Sequence, residues 1–258
     1  MTIFTILIII LCLIVYSIGR GIWTLCQKCG KREERKEEKV TREVKATPTR
    51  PQRPQVARVV KTPQAAKAAR FLFFDTETTG LPKRVGGMVI QPRLVQLACL
   101  LTDSTGNELD SYYAIVRPEG YQIPYEAERI HGISTAKALA EGVSMEEAVH
   151  AFISLYDQCD ALVAHNISFD KAVMRAEIDR LNAWGGRPSK KDIDTMKPTS
   201  AFVGIPSSWG GYKWPKLAEL HQKLFGKDFE GAHDALADVK ACARCYFECV
   251  KRGILPHA

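Results

Sequence analysis

The sequence predicts an α/β domain built on a mixed sheet, occupying residues 70–253. Three observations predict it. Three strand-length apolar runs come first, joined by short connections. Helical periodicities then alternate with further short strands, the order expected of an α/β domain. A shift in composition near residue 70 separates this region from a charged, proline-containing tract. At 258 residues the chain is long enough for one well-buried domain with an appendage.

In chain order, residues 2–18 carry no charge, and with Gly19 to Leu25 they reach the roughly 20 residues of a bilayer span, interrupted by Arg20. Nothing basic precedes this run and no small-residue cleavage site follows it, so residues 1–25 read as a retained transmembrane anchor rather than a cleaved signal peptide. Arg20, Lys28, Lys31, Arg32, Arg35 and Lys36 follow the segment, and Trp23 suits an interfacial position. The positive-inside bias then predicts a single-pass membrane protein with its C-terminal domain facing the cytoplasm. The domain is therefore expected to resist external protease in intact cells; digestion would overturn this orientation.

Residues 26–69 read as a basic linker. Residues 31–45 are almost wholly charged, and Pro48, Pro51, Pro54 and Pro63 favour an extended chain. Residues 27–70 hold 14 Lys/Arg against 5 Asp/Glu, whereas residues 71–258 hold 21 basic and 24 acidic residues. The net charge of +7 thus belongs to the tether, and gives no support to nucleic-acid binding by the domain. The tether itself suits nucleic acid or anionic lipid. The eight cysteines fit a reducing compartment rather than a disulfide framework. Cys26 and Cys29 form a lone C-x-x-C, half of a zinc site or a target for acylation. Cys242, Cys245 and Cys249 lie at helical spacing and read as core.

Within the domain, Arg70 to Phe74 is an aromatic-rich strand with Asp75 at its end. Arg93 to Thr102 is a strand apolar on both faces, Gly106-Asn107 a turn, and Leu109 to Val116 a third strand closed by Pro118, together an antiparallel meander. Ser144 and Glu147 form a capping box ahead of a helix whose apolar face is Met145, Ala148, Val149, Phe152 and Tyr156. Ala161 to Ala164 is a short buried strand. Ser168 to Asn182 is helical, with Ser168 or Asn166 as cap. Lys191 to Met196 is a last short strand, and Lys216 to Phe225 and Ala235 to Val250 are helices stopped by Gly226 and Gly253.

The chemistry lies in three runs. Asp75 and Glu77 in Asp75-Thr76-Glu77-Thr78-Thr79-Gly80 are two apart, so an extended chain points both to one face. Carboxylates that close repel unless a cation neutralises them, and hard oxygen ligands suit Mg²⁺ or Mn²⁺. Asp170, in His165-Asn166-Ile167-Ser168-Phe169-Asp170, follows a buried strand at the start of a helix; His165 reads as a structural histidine. His233 and Asp238 are five apart, the histidine in a loop and the aspartate on the first turns of the last helix, with Asp234 as helix cap. The near-neutral pKa of histidine suits removal of a proton from an attacking water.

Together, Asp-Thr-Glu-Thr-Thr-Gly, His-Asn-x-x-Phe-Asp and His-Asp-Ala-x-x-Asp resemble the DnaQ-like 3′–5′ exonucleases of the DEDDh class. Ile130-His131-Gly132-Ile133 and Asp194-Thr195-Met196 also match that family, and the likeness spans residues 70–250. It implies a ribonuclease H-like fold, a five-stranded mixed sheet flanked by helices. It implies that Asp75, Glu77, Asp170 and Asp238 bind two divalent cations, Mg²⁺ or Mn²⁺, and that His233 is the general base. The reaction implied is release of nucleoside monophosphates from nucleic acid 3′ ends, single-stranded ones first. Main chain near Glu77 and Thr78, with the Leu81 side chain, resembles the family's seat for the 3′-terminal nucleotide. In the residues themselves, the glycine-rich loop of Trp209, Tyr212 and Lys213 offers stacking faces and charge for a single strand, whereas Trp214 reads as packing the following helix. Nothing in the sequence separates DNA from RNA. Two rival readings stand beside an active exonuclease: a membrane-anchored nucleic-acid-binding module without catalysis, and a proofreading partner of a polymerase.

Overall fold

The computed structural model describes residues 68–256. The predicted anchor (residues 1–25) and most of the predicted linker (26–69) lie outside the described residues, as do Cys26 and Cys29. No helix among the described residues is long and apolar enough to cross a membrane.

A five-stranded sheet organises the domain. Its strands are β1 (Phe71–Thr78), β4 (Leu94–Thr102), β5 (Glu108–Ile115), β6 (Ala161–Ala164) and β7 (Lys191–Asp194), in the order β5-β4-β1-β6-β7. β4 pairs antiparallel with both β1 and β5, which is the predicted meander, while β6 and β7 run parallel to β1. The sheet is therefore mixed. A separate hairpin, β2 (Lys83–Val85) and β3 (Met88–Ile90), projects between β1 and β4.

The helices are α1 (Tyr125–His131), α2 (Thr135–Glu141), α3 (Met145–Gln158), α4 (Ile167–Arg180), α5 (Ser200–Val203), α6 (Leu217–Phe225) and α7 (Ala235–Lys251). The side-chain alternation of β1 divides the core between the two faces of the sheet. Leu72 and Phe74 join α3 and α4, with the Phe74 and Phe152 rings 5.4 Å apart. Phe71 and Phe73 face α7, where Tyr246 lies 5.4 and 5.6 Å from their rings. Burying both faces explains why β4 is buried along its whole length. Cys242, Cys245 and Cys249 are buried in the α7 layer, as their spacing predicted.

Several boundaries differ from expectation. β1 runs on through Thr78 rather than ending at Phe74, because Thr76 and Thr78 bury as the apolar residues before them do. Of the capping box at α3, the Ser144 hydroxyl accepts from the Glu147 amide at 3.1 Å. At α4 neither proposed cap bonds a helix amide; Asn166 stands at the cap position in the left-handed region, at φ 73°, and its side chain accepts from the Ser168 hydroxyl. Helices α1 and α2 and the β2–β3 hairpin gave no sequence signal. Each of those helices has seven residues and buries one alanine, too little for a readable stripe.

Candidate active site

Asp75 and Glu77 sit inside β1, on the face that α7 covers, opposite Ala98 and Gln96 of β4. Thr76, between them, points to the other face. Its amide and hydroxyl donate to Asp170 Oδ1 at 3.0 and 2.7 Å. Asp170 lies on the first turn of α4 and is 4% exposed, so these two bonds fix the carboxylate beside the strand. The tight β6–α4 junction is held in turn by Asp194, whose Oδ1 accepts from the Asn166 amide at 3.0 Å and the Met196 amide at 2.9 Å.

α7 supplies the remaining two groups. Asp234 caps it, accepting from the Leu236 and Ala237 amides at 3.0 and 3.2 Å, the predicted role. The turn before it needs Gly231, at φ 81°, where an added Cβ would stand 3.1 Å from Ala237 Cβ. His233 takes the left-handed region at φ 71°, costly for a residue with a side chain. Its amide donates to Asp238 Oδ2 at 3.0 Å. The fold thus locks the histidine and the aspartate to each other. A ring nitrogen of His233 and carboxylate oxygens of Glu77 and Asp238 all lie within 4.8 Å of one another.

Electrostatics link the four carboxylates. Burial, then the charges of Asp170, Asp238 and Glu77, push the Asp75 pKa well above the carboxylate range. Burial, then Asp238, Asp170 and Asp234, push Glu77 up to about 8. Asp170 is raised by burial against the opposing bonds from Thr76, and Asp238 by burial against the His233 amide. Among the described residues, no lysine or arginine pairs with any of the four. Converging buried carboxylates without a protein counter-charge fit hard divalent cations with oxygen ligands. Asp75, Glu77, Asp170 and Asp238 would hold them.

A carboxyl whose pKa rises on folding stabilises the fold while protonated, and that contribution is lost as pH climbs through the folded value. For Glu77 the window runs from its ordinary value of 4.5 to about 8. The melting temperature in EDTA is expected to fall, relative to that in excess Mg²⁺, as pH rises across this window. The gap should be small at pH 5 and largest above pH 8, and Glu77→Gln should narrow it. A gap independent of pH would contradict a carboxylate cation site here.

Sequence reasoning missed the residues that place these groups. Gln96 is 2% exposed; its Nε2 donates to Tyr113 Oη at 2.8 Å and its Oε1 accepts from the Ala235 amide at 3.1 Å. The Tyr113 hydroxyl donates to Asp234 Oδ2 at 2.9 Å. β4 and β5 thereby pin the start of α7 opposite Glu77. These partners are 17 to 139 residues apart, a separation no local motif reports. His131 is also near: burial lowers its pKa against the opposing effect of the Thr78 main chain, and the charge of His233 adds to the lowering. The only signal for it was Ile130-His131-Gly132-Ile133.

The Thr78 hydroxyl donates to the Gly80 carbonyl at 2.8 Å, and Leu81 is 76% exposed just past the strand. Trp209 and Tyr212 stand exposed on the loop before α6. Trp214 does not pack the core as expected. It is 62% exposed with the Lys197 ammonium 4.9 Å from its ring centroid, because Pro215, not the indole, meets the body of the domain through His165. His165 is the satisfied structural histidine expected, between Thr195 Oγ1 at 3.0 Å and the Pro215 carbonyl at 2.9 Å.

Comparison with known proteins agrees with this geometry. Residues 72–246 match the family described as Exonuclease. DNA polymerase III subunit epsilon of Rickettsia conorii is 28% identical over 181 residues, 69% of this chain and 73% of that protein. Human Three-prime repair exonuclease 1 is 26% identical over 196 residues, 66% of this chain and 60% of that protein. Among solved structures, E. coli Exonuclease I in complex with a 5cy-dT13 oligonucleotide aligns with a TM-score of 0.58 and 25% identity, covering 72% of this chain and 41% of that one. The chain thus spans about two fifths of the length of that structural relative. A family match across most of the described residues, with the relatives and the fold agreeing, places this chain in the exonuclease family, with a DnaQ-like 3′–5′ exonuclease domain.

Proposed function

We propose that this chain hydrolyses the terminal phosphodiester of nucleic acid strands from the 3′ end, releasing nucleoside monophosphates, by a two-cation mechanism with His233 as general base. The observation that carries the reading is the convergence of Asp75, Glu77, Asp170 and Asp238 from β1, α4 and α7 beside a histidine held at φ 71°. Two divalent cations, Mg²⁺ or Mn²⁺, would supply Lewis-acid stabilisation of the attacking and leaving oxygens.

The chain's own residues do the rest. Thr76 orients Asp170, and Asp234 with Gln96 orients the start of α7. A ring nitrogen of His233 accepts the proton of the attacking water at the rim of the carboxylate cluster, where the side chain is exposed and can exchange that proton with solvent. Main chain at Glu77 and Thr78, with Leu81, would seat the 3′-terminal nucleotide.

Single-stranded DNA is the polymer proposed first, because the E. coli structure holds a dT13 oligonucleotide. The similarity to a polymerase III subunit epsilon supports a second reading, proofreading beside a polymerase on a separate chain. Residues 2–25 as an anchor, with the domain in the cytoplasm, remain part of the proposal. The deciding experiment offers the full-length chain single-stranded DNA, duplex DNA, single-stranded RNA and dinucleotides, each labelled at the 5′ end. A ladder shortening from the 3′ end in Mg²⁺ is expected, fastest on single-stranded DNA. Release of the label in the first products would overturn the polarity.

A further inference from the structure

Residues 205–216 form an arm that closes on itself. The Lys213 amide donates to the Ile205 carbonyl and the Ser207 amide to the Gly211 carbonyl, both at 3.0 Å, while Pro206 and Tyr212 make an antiparallel bridge. At its base the Pro215 carbonyl lies 2.9 Å from His165 Nε2. A carbonyl only accepts, so Nε2 carries the proton and Nδ1 accepts from the Thr195 hydroxyl. The imidazole therefore fastens the arm to the carboxyl ends of β6 and β7. Since β1, β6 and β7 are parallel neighbours, that is the sheet edge at which Asp75 and Glu77 stand.

The arm turns three large rings to solvent. Trp209 is 96% exposed, Trp214 62% and Tyr212 52%. They add little to the core, and a cluster of exposed aromatic rings marks a binding surface. Lys197, just past β7, places its ammonium 4.9 Å from the Trp214 ring centroid, on one face of an indole that is still largely open to solvent. Lys213 is engaged by Glu219 at 2.6 Å, whereas Lys197 has no carboxylate partner among the described residues. A flat ring beside a cation that no carboxylate holds suits a base and its phosphate. In a duplex each base face is already stacked, so the ring selects unpaired nucleotides.

We propose that Trp214 and Lys197, flanked by Tyr212, form a stacking subsite for nucleotides of a single strand upstream of its 3′-terminal nucleotide, anchored to the catalytic edge through His165. The proposal rests on the reading of the carboxylate cluster as a 3′-end nuclease. It adds a dependence on strand length: a strand that continues upstream of its 3′-terminal nucleotides gains the subsite, and a dinucleotide gains little from it.

Binding read without hydrolysis tests it. Fluorescence anisotropy would follow 5′-labelled single strands of two and ten nucleotides on the full-length chain carrying Asp75→Asn in Mg²⁺. Adding Trp214→Ala is expected to weaken the ten-nucleotide strand about tenfold, the loss of one stacked base. The dinucleotide should change less than about twofold, and Trp214→Phe should retain most of the affinity. Lys197→Ala should reduce the slope of log affinity against log salt by about 0.7, one phosphate contact. Unchanged affinity of the longer strand in Trp214→Ala would overturn the subsite. So would equal weakening of both lengths, which would assign the ring to the shape of the catalytic centre. Should the thermal melt show that Trp214→Ala does not fold, the salt slope of Lys197→Ala decides, an unchanged slope counting against the proposal. Absence of any hydrolysis by the wild-type chain would instead defeat the nuclease reading and leave these affinities interpretable.

Discussion

Asp75→Asn is expected to lower the rate of 3′-end hydrolysis at least about a thousandfold while raising the melting temperature of the metal-free protein. The two effects have one cause. Asp75 is buried on β1 and its charge is opposed by Asp170, Asp238 and Glu77, so ionising all four without a cation works against the fold. Asparagine keeps the shape and removes one repelling charge, which relieves that strain. It also removes an anionic ligand from the cation site. Cation stabilisation of the transition state is worth several kcal/mol, and each 1.36 kcal/mol is tenfold in rate, so a loss of about 4 kcal/mol gives roughly three orders of magnitude. Asp75→Ala should abolish activity equally. Laddering of a 5′-labelled strand and thermal melts in EDTA check the pair. Wild-type turnover in either variant would sink the assignment of the site.

His233→Asn is expected to lower turnover about a hundredfold to ten-thousandfold, the range for loss of a general base, with a much smaller change in the Mg²⁺ concentration needed for half-maximal stabilisation. Asparagine is the informative replacement because it tolerates the left-handed backbone that His233 occupies at φ 71°. With His233→Ala, part of any loss would come from a residue less suited to that conformation. A role for His233 as a cation ligand is the competing outcome, since its ring nitrogen lies within 4.8 Å of oxygens of Glu77 and Asp238. A loss of Mg²⁺ affinity as large as the loss of turnover would decide for a ligand and against a base.

Residues that act through their neighbours were legible to different degrees. Asp234 was readable as a cap because helix capping is a local rule, satisfied within three residues. The half of its carboxylate that binds Tyr113 was not, because that partner is 121 residues away and belongs to another strand. Trp214 departs from expectation for a related reason. An indole next to a helix start most often packs inward, but here the neighbouring Pro215 carbonyl makes the contact with His165 and the ring is left outside.

By itself the sequence determined which residues are candidates for the chemistry and the order of the elements. Two acidic residues two apart on an apolar strand must share a face, a buried strand followed by a helix must carry Asp170 to one end of the sheet, and the turn before α7 must present His233 near Asp238. These are consequences of backbone period and turn geometry, which act over a few residues. Only the tertiary structure decided how the pieces meet. The parallel placement of β6 beside β1 lets Thr76 hold Asp170, and the packing of α7 across the sheet brings Asp238 and His233 to Glu77. It also decided that β1 extends through Thr78 and that the aromatic arm faces solvent on the edge where the carboxylates gather. Burial and long-range hydrogen bonding set those outcomes, and both depend on partners that are distant in the chain and adjacent only in the fold.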